Sequence, residues 1–216
     1  IPLSFGANLG LWLDASDTTS ITASSGAVSQ WSDKSGNALH VVQATADKQP
    51  TTSSATQNSL NVLSFDGGDY LQKSSSNVQN VDQTWFVVAQ VDSVSDSSDS
   101  LLAYGNWEDG KWQFNSDHAT AFYGKMRKNN TSGITSVSRS SSSSNLIGSY
   151  RLYSLSFNRS NSTFSSWMDG INNNSAKTDS IALATNQKIT VMGSRQSTPS
   201  SPGGKMAEIL YLKSVA

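Results

Sequence analysis

The chain has 216 residues and a formal charge of −1, from 15 Lys+Arg against 16 Asp+Glu. The absence of cysteine excludes disulfides, thiol catalysis and cysteine-ligated metals. Scattered cations without a basic run exclude a nucleic-acid groove, and no apolar stretch approaches the ~18 residues that membrane insertion by a helix needs. Serine fills 43 positions, an excess to be read as disorder, linker or surface.

The elements, in chain order, are short strands. Leu9-Gly10-Leu11-Trp12-Leu13-Asp14 is an apolar segment ending in a turn. Ala27 to Trp31 alternates, and Asp33-Lys34-Ser35-Gly36-Asn37 breaks the chain. Leu39 to Val42 is a further strand candidate. Asn61 to Phe65 puts Asn61, Leu63 and Phe65 on one face and stops at Asp66-Gly67-Gly68-Asp69; Tyr70-Leu71 resumes. Thr84 to Val91 is a nearly continuous apolar run, which predicts a strand covered on both faces. Asn77 to Asp82 is the single candidate for a helical turn.

Leu101–Tyr104, Lys111–Asn115 and Ala119–Arg127 also predict strands. Arg151 to Phe157 alternates, with Tyr153, Leu155 and Phe157 facing one way. Thr163–Met168, then Asp169-Gly170, then Ile171 predicts a hairpin. Lys188–Gly193 and Met206–Lys213 close the set. Many short strands with frequent turns predict an all-β, two-sheet antiparallel jelly-roll sandwich. No linker divides it, so residues 1–216 read as a single domain. The chain starts at Ile1 rather than Met and reads as a processed or excised piece.

The serines cluster at Ser74–Ser76, Ser93–Ser100, Ser138–Ser144 and Thr198–Ser201, between strand candidates. Such residues bond their own backbone in turns. Ser154 and Ser156 alternate with Tyr153 and Leu155 and predict a solvent-facing sheet surface.

Three stretches carry a resemblance. They are Leu11-Trp12-Leu13-Asp14-Ala15-Ser16-Asp17, Val28-Ser29-Gln30-Trp31-Ser32-Asp33-Lys34-Ser35-Gly36-Asn37, and Phe65-Asp66-Gly67-Gly68-Asp69-Tyr70-Leu71. Together with Trp167-Met168-Asp169-Gly170 and the closing Gly204 to Tyr211, they resemble the laminin-G-like, concanavalin A-like jelly-roll domains of the lectin/glucanase superfamily. The resemblance implies two antiparallel sheets packed face to face, glycan binding, and calcium in some members. It also implies an extracellular, cell-surface or virion-surface location. Trp12, Trp31, Trp85 and Trp167 match strand positions and are expected in the core.

Catalysis finds little footing. A retaining glycosidase needs two carboxyl groups about 5 Å apart, and the superfamily's Glu-x-Asp-x-x-Glu is absent. The chain's two glutamates, Glu108 and Glu208, are a hundred residues apart. Glu208 is expected to pack or hydrogen-bond in the closing strand. There is no Gly-x-Ser-x-Gly elbow, and His40 and His118 are too few for a transition-metal site. Calcium takes six to eight oxygen ligands. Its candidates are Asp66 and Asp69 around the Gly-Gly turn, against the alternative that each stabilises that turn.

A glycan site needs an exposed aromatic face beside planar polar groups. The densest candidate is Tyr104-Gly105-Asn106-Trp107-Glu108-Asp109-Gly110-Lys111-Trp112. Trp107 is the stacking residue, with Asn106, Glu108 and Asp109 as polar partners and Trp112 as a second aromatic. Trp112 alternates with Phe114, so a core position is its alternative. The expectation is a non-catalytic carbohydrate-recognition module of a larger extracellular or surface protein, with a glycan or polysaccharide as partner. The alternative is a structural or attachment domain of a phage or virion surface, with other virion proteins as partners.

Overall fold

The computed structural model describes residues 2–94, 99–105, 112–117, 121–128, 133–140, 147–172, 177–178, 185–194 and 201–214. The first strands are β1 (Leu9–Asp14), β2 (Ile21–Ser24), β3 (Ala27–Trp31), β4 (Val41–Val42), β5 (Thr56–Gln57), β6 (Leu60–Asn61) and β7 (Leu63–Asp66). Next come β8 (Leu71–Lys73), β9 (Gln83–Ser93), β10 (Asp99–Tyr104), β11 (Trp112–Asp117), β12 (Ala121–Lys128) and β13 (Gly133–Ser140). The last are β14 (Tyr150–Asn158), β15 (Thr163–Met168), β16 (Ile171–Asn172), β17 (Lys177–Thr178), β18 (Ile189–Ser194) and β19 (Gly203–Leu212). No α-helix occurs among the described residues, and none of their helices is long and apolar enough to cross a membrane.

The strands build two large antiparallel sheets, the expected all-β jelly-roll-like sandwich. One sheet has eight strands, ordered β1-β19-β9-β14-β15-β16, with β7 on β19 and β17 on β15. The other has nine, ordered β13-β12-β11-β10-β18-β8-β4-β3-β2. Alternation fills the space between them: Trp85, Val87, Ala89 and Val91 of β9 are fully buried, as are Leu71, Leu102, Phe114 and Val191 from the nine-stranded sheet. A chain of rings crosses this core. Tyr211 stacks on Trp85 (4.2 Å between centroids, 7° between planes), and Trp85 meets Trp112 at 4.7 Å. Phe114, Phe122 and Tyr153 continue it. Gly10 lets β1 pass under this stack, since a Cβ there would overlap the Tyr211 ring.

The Asp169-Gly170 hairpin forms as expected. Both residues have positive φ (53° and 76°), the backbone of a tight turn matched to strand twist. Four expectations are corrected. Residues 77–82 form no helix; Val78 anchors an irregular segment in the core. The Ser138–Ser144 cluster is not all loop, because β13 runs through Ser140 and pairs with β12. Its β-branched Ile134, Thr135 and Val137 suit an outer strand. β9 is fully covered on its inner face alone; Phe86 and Val88 on the other face are half-buried.

The fourth correction concerns tryptophan. Trp31 and Trp85 are in the main core and Trp12 is buried in a smaller core cluster, as expected, whereas Trp167 stands on the outer face of the eight-stranded sheet. Trp12 joins Leu9 and Leu212 in a satellite cluster backed by Phe86 and Leu210. Trp167 is half-buried. Ser154 and Ser156 do face outward, but larger neighbours shade them, and Ser154 is 8% exposed.

Candidate functional site

Asn106, Trp107, Glu108 and Asp109 lie outside the described residues, as does His118. The ends of their segment are described. Trp112 is 2% exposed and belongs to the core, not to a ligand surface. Strand register decides this: Trp112 pairs with Tyr104 and shares the inner face with Phe114, so its ring stacks on Tyr104 at 5.6 Å.

The segment between β10 and β11 leaves one end of the nine-stranded sheet. Tyr104, Ile189 and Lys73 sit in register at that end. Residues 185–188 are stapled there. Ser76 donates from its amide and its hydroxyl to the Gln187 carbonyl (3.1 and 2.8 Å). The Gln187 amide donates to the Tyr104 hydroxyl (3.2 Å), and the Gly105 amide to the Lys188 carbonyl (2.7 Å). A shallow depression of about 360 Å³ opens beside these contacts, lined by Asn37, Lys73, Ser75, Asn77 and Asn186 among others. Its lining carries amides, hydroxyls and one ammonium, with no carboxylate. The Asn37 amide is engaged, donating to the Leu9 and Gly10 carbonyls at 2.9 and 3.1 Å. Lys73 makes no ion pair among the described residues, and Asn77 and Asn186 are exposed.

The same strand carries an aromatic onto the outer face. One cross-strand row runs Thr22, Gln30, Val42, Gln72, Thr190, Ala103 and Gln113, all uncharged, and continues to Lys125 and Ser136. Tyr70 precedes it on the same side, its Cβ beside the position a Gly193 side chain would take, next to Thr190. The Tyr70 ring is half-buried, with the Lys48 ammonium 5.8 Å from its centroid. Val42 is 43% exposed beside it. Tyr70 and Gln72 thus share the outer face, while Lys73 lies on the opposite side of β8 with Leu71, at the end of the sheet, and lines the depression together with Ser75. The sequence signal was available: Tyr70-Leu71-Gln72-Lys73 alternates around the buried Leu71. It was eclipsed by the denser Trp107 segment.

Asp66 and Asp69 close the β7–β8 turn. The Gly68 amide donates to Asp66 Oδ1 (2.8 Å) and the Asp66 amide to Asp69 Oδ2 (3.1 Å). Both face a cleft of about 380 Å³ together with Asp47. No group of three or more His, Asp or Glu able to hold a metal ion occurs among the described residues. Burial, reinforced by the Asp66 carboxylate, outweighs the amide bond and pushes the Asp69 carboxyl up to about 6. A raised acid is favoured when protonated, so its contribution is complete below pH 3.8 and is lost as pH rises through about 6. Asp69→Asn keeps an acceptor for the Asp66 amide. It is expected to stabilise the protein at pH 7 by on the order of 2 kcal/mol and to flatten the pH dependence of unfolding between about 4 and 6. Thermal melts across that range check this; an unchanged slope refutes it.

The remaining acid and base candidates are structural. The Trp12 indole donates to Glu208 Oε1 (2.9 Å), and burial pushes the Glu208 carboxyl up. Lys34 lies over the Trp12 ring (4.1 Å) and pairs with Asp14 and Asp17 (2.8 Å each). His40 Nδ1 accepts the Asp33 amide (3.0 Å).

By sequence, no family model and no curated protein matches the chain. By structure it is similar to Trypanosoma rangeli sialidase in complex with sialic acid (TM-score 0.63, 14% identity), over 97% of this chain and 31% of that one. It is also similar to the Ruminococcus gnavus IT-sialidase CBM40 bound to α2,3-sialyllactose (TM-score 0.51, 11% identity, 68% and 93% covered). A third likeness is to the NanB sialidase of Streptococcus pneumoniae (TM-score 0.53, 12% identity, 64% and 23% covered). The class defined is an all-β sandwich of the kind that occurs in sialidases and in a sialidase-borne CBM40. At these identities the likeness is one of fold.

Proposed function

We propose that the chain is a carbohydrate-recognition module without chemistry of its own, and that it binds glycans along β8 and the adjoining end of the nine-stranded sheet. The carrying observation is the amide-lined depression at the end of β8, where Lys73, Ser75, Asn77 and Asn186 meet, with Tyr70 and Gln72 on the outer face of the same segment. A ring stacks on sugar C–H groups, amides meet hydroxyls in pairs, and an ammonium without an ion pair suits a sugar carboxylate. The likeness to a CBM40 bound to α2,3-sialyllactose supports the reading. Trp107, with Asn106, Glu108 and Asp109, is proposed on sequence grounds as a further stacking group. Calcium at Asp66 and Asp69 is a separate proposal. If it binds there, millimolar calcium raises the melting temperature and Asp69→Asn abolishes the rise.

A glycan array including sialylated sugars, followed by calorimetry, tests the function. Lys73→Met is expected to weaken binding of an acidic glycan by at least about tenfold, the value of one charged hydrogen bond. Tyr70→Ala is expected to do so for neutral and acidic sugars alike by about the same factor. Binding that survives both substitutions removes the site from β8. Silence across the array removes the function.

A further inference from the structure

We infer that Asn186 is the specificity-determining residue of the depression at the end of β8, and that its side-chain amide reads two adjacent ring hydroxyls of a sugar. The inference rests on the glycan reading above and names the group that selects the ligand there.

The depression is bordered from two sides by chain in the left-handed region. Ala38, from the 33–39 loop, and Asn186, from the segment before β18, both line it, and each has a φ of 56°. That backbone is uncommon for any residue with a Cβ, and asparagine enters it more readily than alanine does. Such conformations persist only where their surroundings over-determine them, and they gather at ligand clamps.

The surroundings do so here on both rims. On one, Asp33 Oδ2 accepts the Leu39 amide (3.0 Å), and the Asn37 side chain donates to the Leu9 and Gly10 carbonyls (2.9 and 3.1 Å). On the other, the Asn186 amide donates to the Val78 carbonyl (3.2 Å), and the Asn186 carbonyl accepts the Ser75 hydroxyl (3.2 Å). Gln187 is held at its amide by the Tyr104 hydroxyl and at its carbonyl by Ser76. Every backbone polar group of residues 186 and 187 is therefore used inside the protein.

The Asn186 side chain is what remains. It is exposed, and its amide makes no hydrogen bond among the described residues, whereas the Asn37 amide is consumed. A primary amide presents an acceptor and two donors in one plane, which matches one donating and one accepting hydroxyl on neighbouring ring carbons. Because the backbone beneath it is already fixed, little further ordering is needed when a sugar binds.

A glycine substitution separates this role from the simpler one, that asparagine is present because it tolerates the left-handed backbone. Glycine adopts that backbone without penalty and removes only the amide. Asn186→Gly is expected to melt within about 2 °C of the wild type and to bind at least about tenfold more weakly. The probes are the methyl glycosides of galactose, glucose, mannose and glucuronic acid, titrated into isotope-labelled protein and followed by NMR. The side-chain amide signals of Asn186 are expected to move on binding, and a deoxy sugar lacking either hydroxyl of the pair is expected to bind as weakly to the wild type as the parent sugar does to Asn186→Gly. An Asn186→Gly chain that binds as the wild type does overturns the assignment and leaves the glycan site standing. A wild-type chain with no signal moved by any of these sugars overturns the assignment together with the site.

Discussion

Asp33→Ala is expected to destabilise the protein by about 3–4 kcal/mol, because one buried carboxylate serves four donors. Its Oδ1 accepts the Trp12 amide (3.0 Å) and the Ser35 amide (2.8 Å). Its Oδ2 accepts the Ser35 hydroxyl (2.8 Å) and the Leu39 amide (3.0 Å). The Trp12 and Leu39 amides are buried, so alanine leaves them without partners and without water. The outer strand β1 then loses its tie to the 33–39 loop, although Asn37 still reaches the Leu9 and Gly10 carbonyls. A fall in melting temperature of roughly 10 °C is expected for a chain of this length. Asp33→Asn keeps one acceptor and should lose about half as much. Equal melting temperatures for wild type and Asp33→Ala would falsify the account.

Trp85→Ala is expected to cost about 3–5 kcal/mol, the range for emptying a large aromatic site. Trp85 is fully buried, stacks on Tyr211, leans on Trp112 and donates its indole N–H to Gln83 Oε1 (3.0 Å). It sits on a central strand of the eight-stranded sheet and holds the inter-sheet ring chain together. Trp85→Phe keeps the stack and should lose much less, about 1–2 kcal/mol. Urea unfolding of the pair measures the difference. Similar losses for both would mean that the indole bond to Gln83, not packing, supplies the stability.

These two residues mark what was readable in advance. Trp85 lay in a nearly continuous apolar run that predicted its strand and a core position, although the cover expected on both faces is complete on one alone. The Asp33-Lys34-Ser35-Gly36-Asn37 break was visible as a turn. Its work as a hub for β1 was not, because the β1 donor it serves, the Trp12 amide, lies 21 positions away. Trp167 shows the opposite failure. Composition places a tryptophan in the core by default, but alternation with Phe164, Ser166 and Met168 turns it outward. Nothing local says whether the outer face of that sheet is dry.

The site divides in the same way. Trp112 is removed from it by burial, the alternative that its alternation with Phe114 offered, and register with Tyr104 fixes its ring in the core. Lys73, Asn77 and Asn186 become neighbours because β18 pairs with β8, although Lys73 and Asn186 are more than a hundred positions apart. The class of fold and the hairpin at Asp169-Gly170 were legible from the residues alone, since these depend on strand patterning and turn chemistry within a few residues. Only the tertiary structure decided which outward faces adjoin, which aromatics they expose and which carboxylates are used up by turns, since these depend on strand order and on water excluded by distant chain.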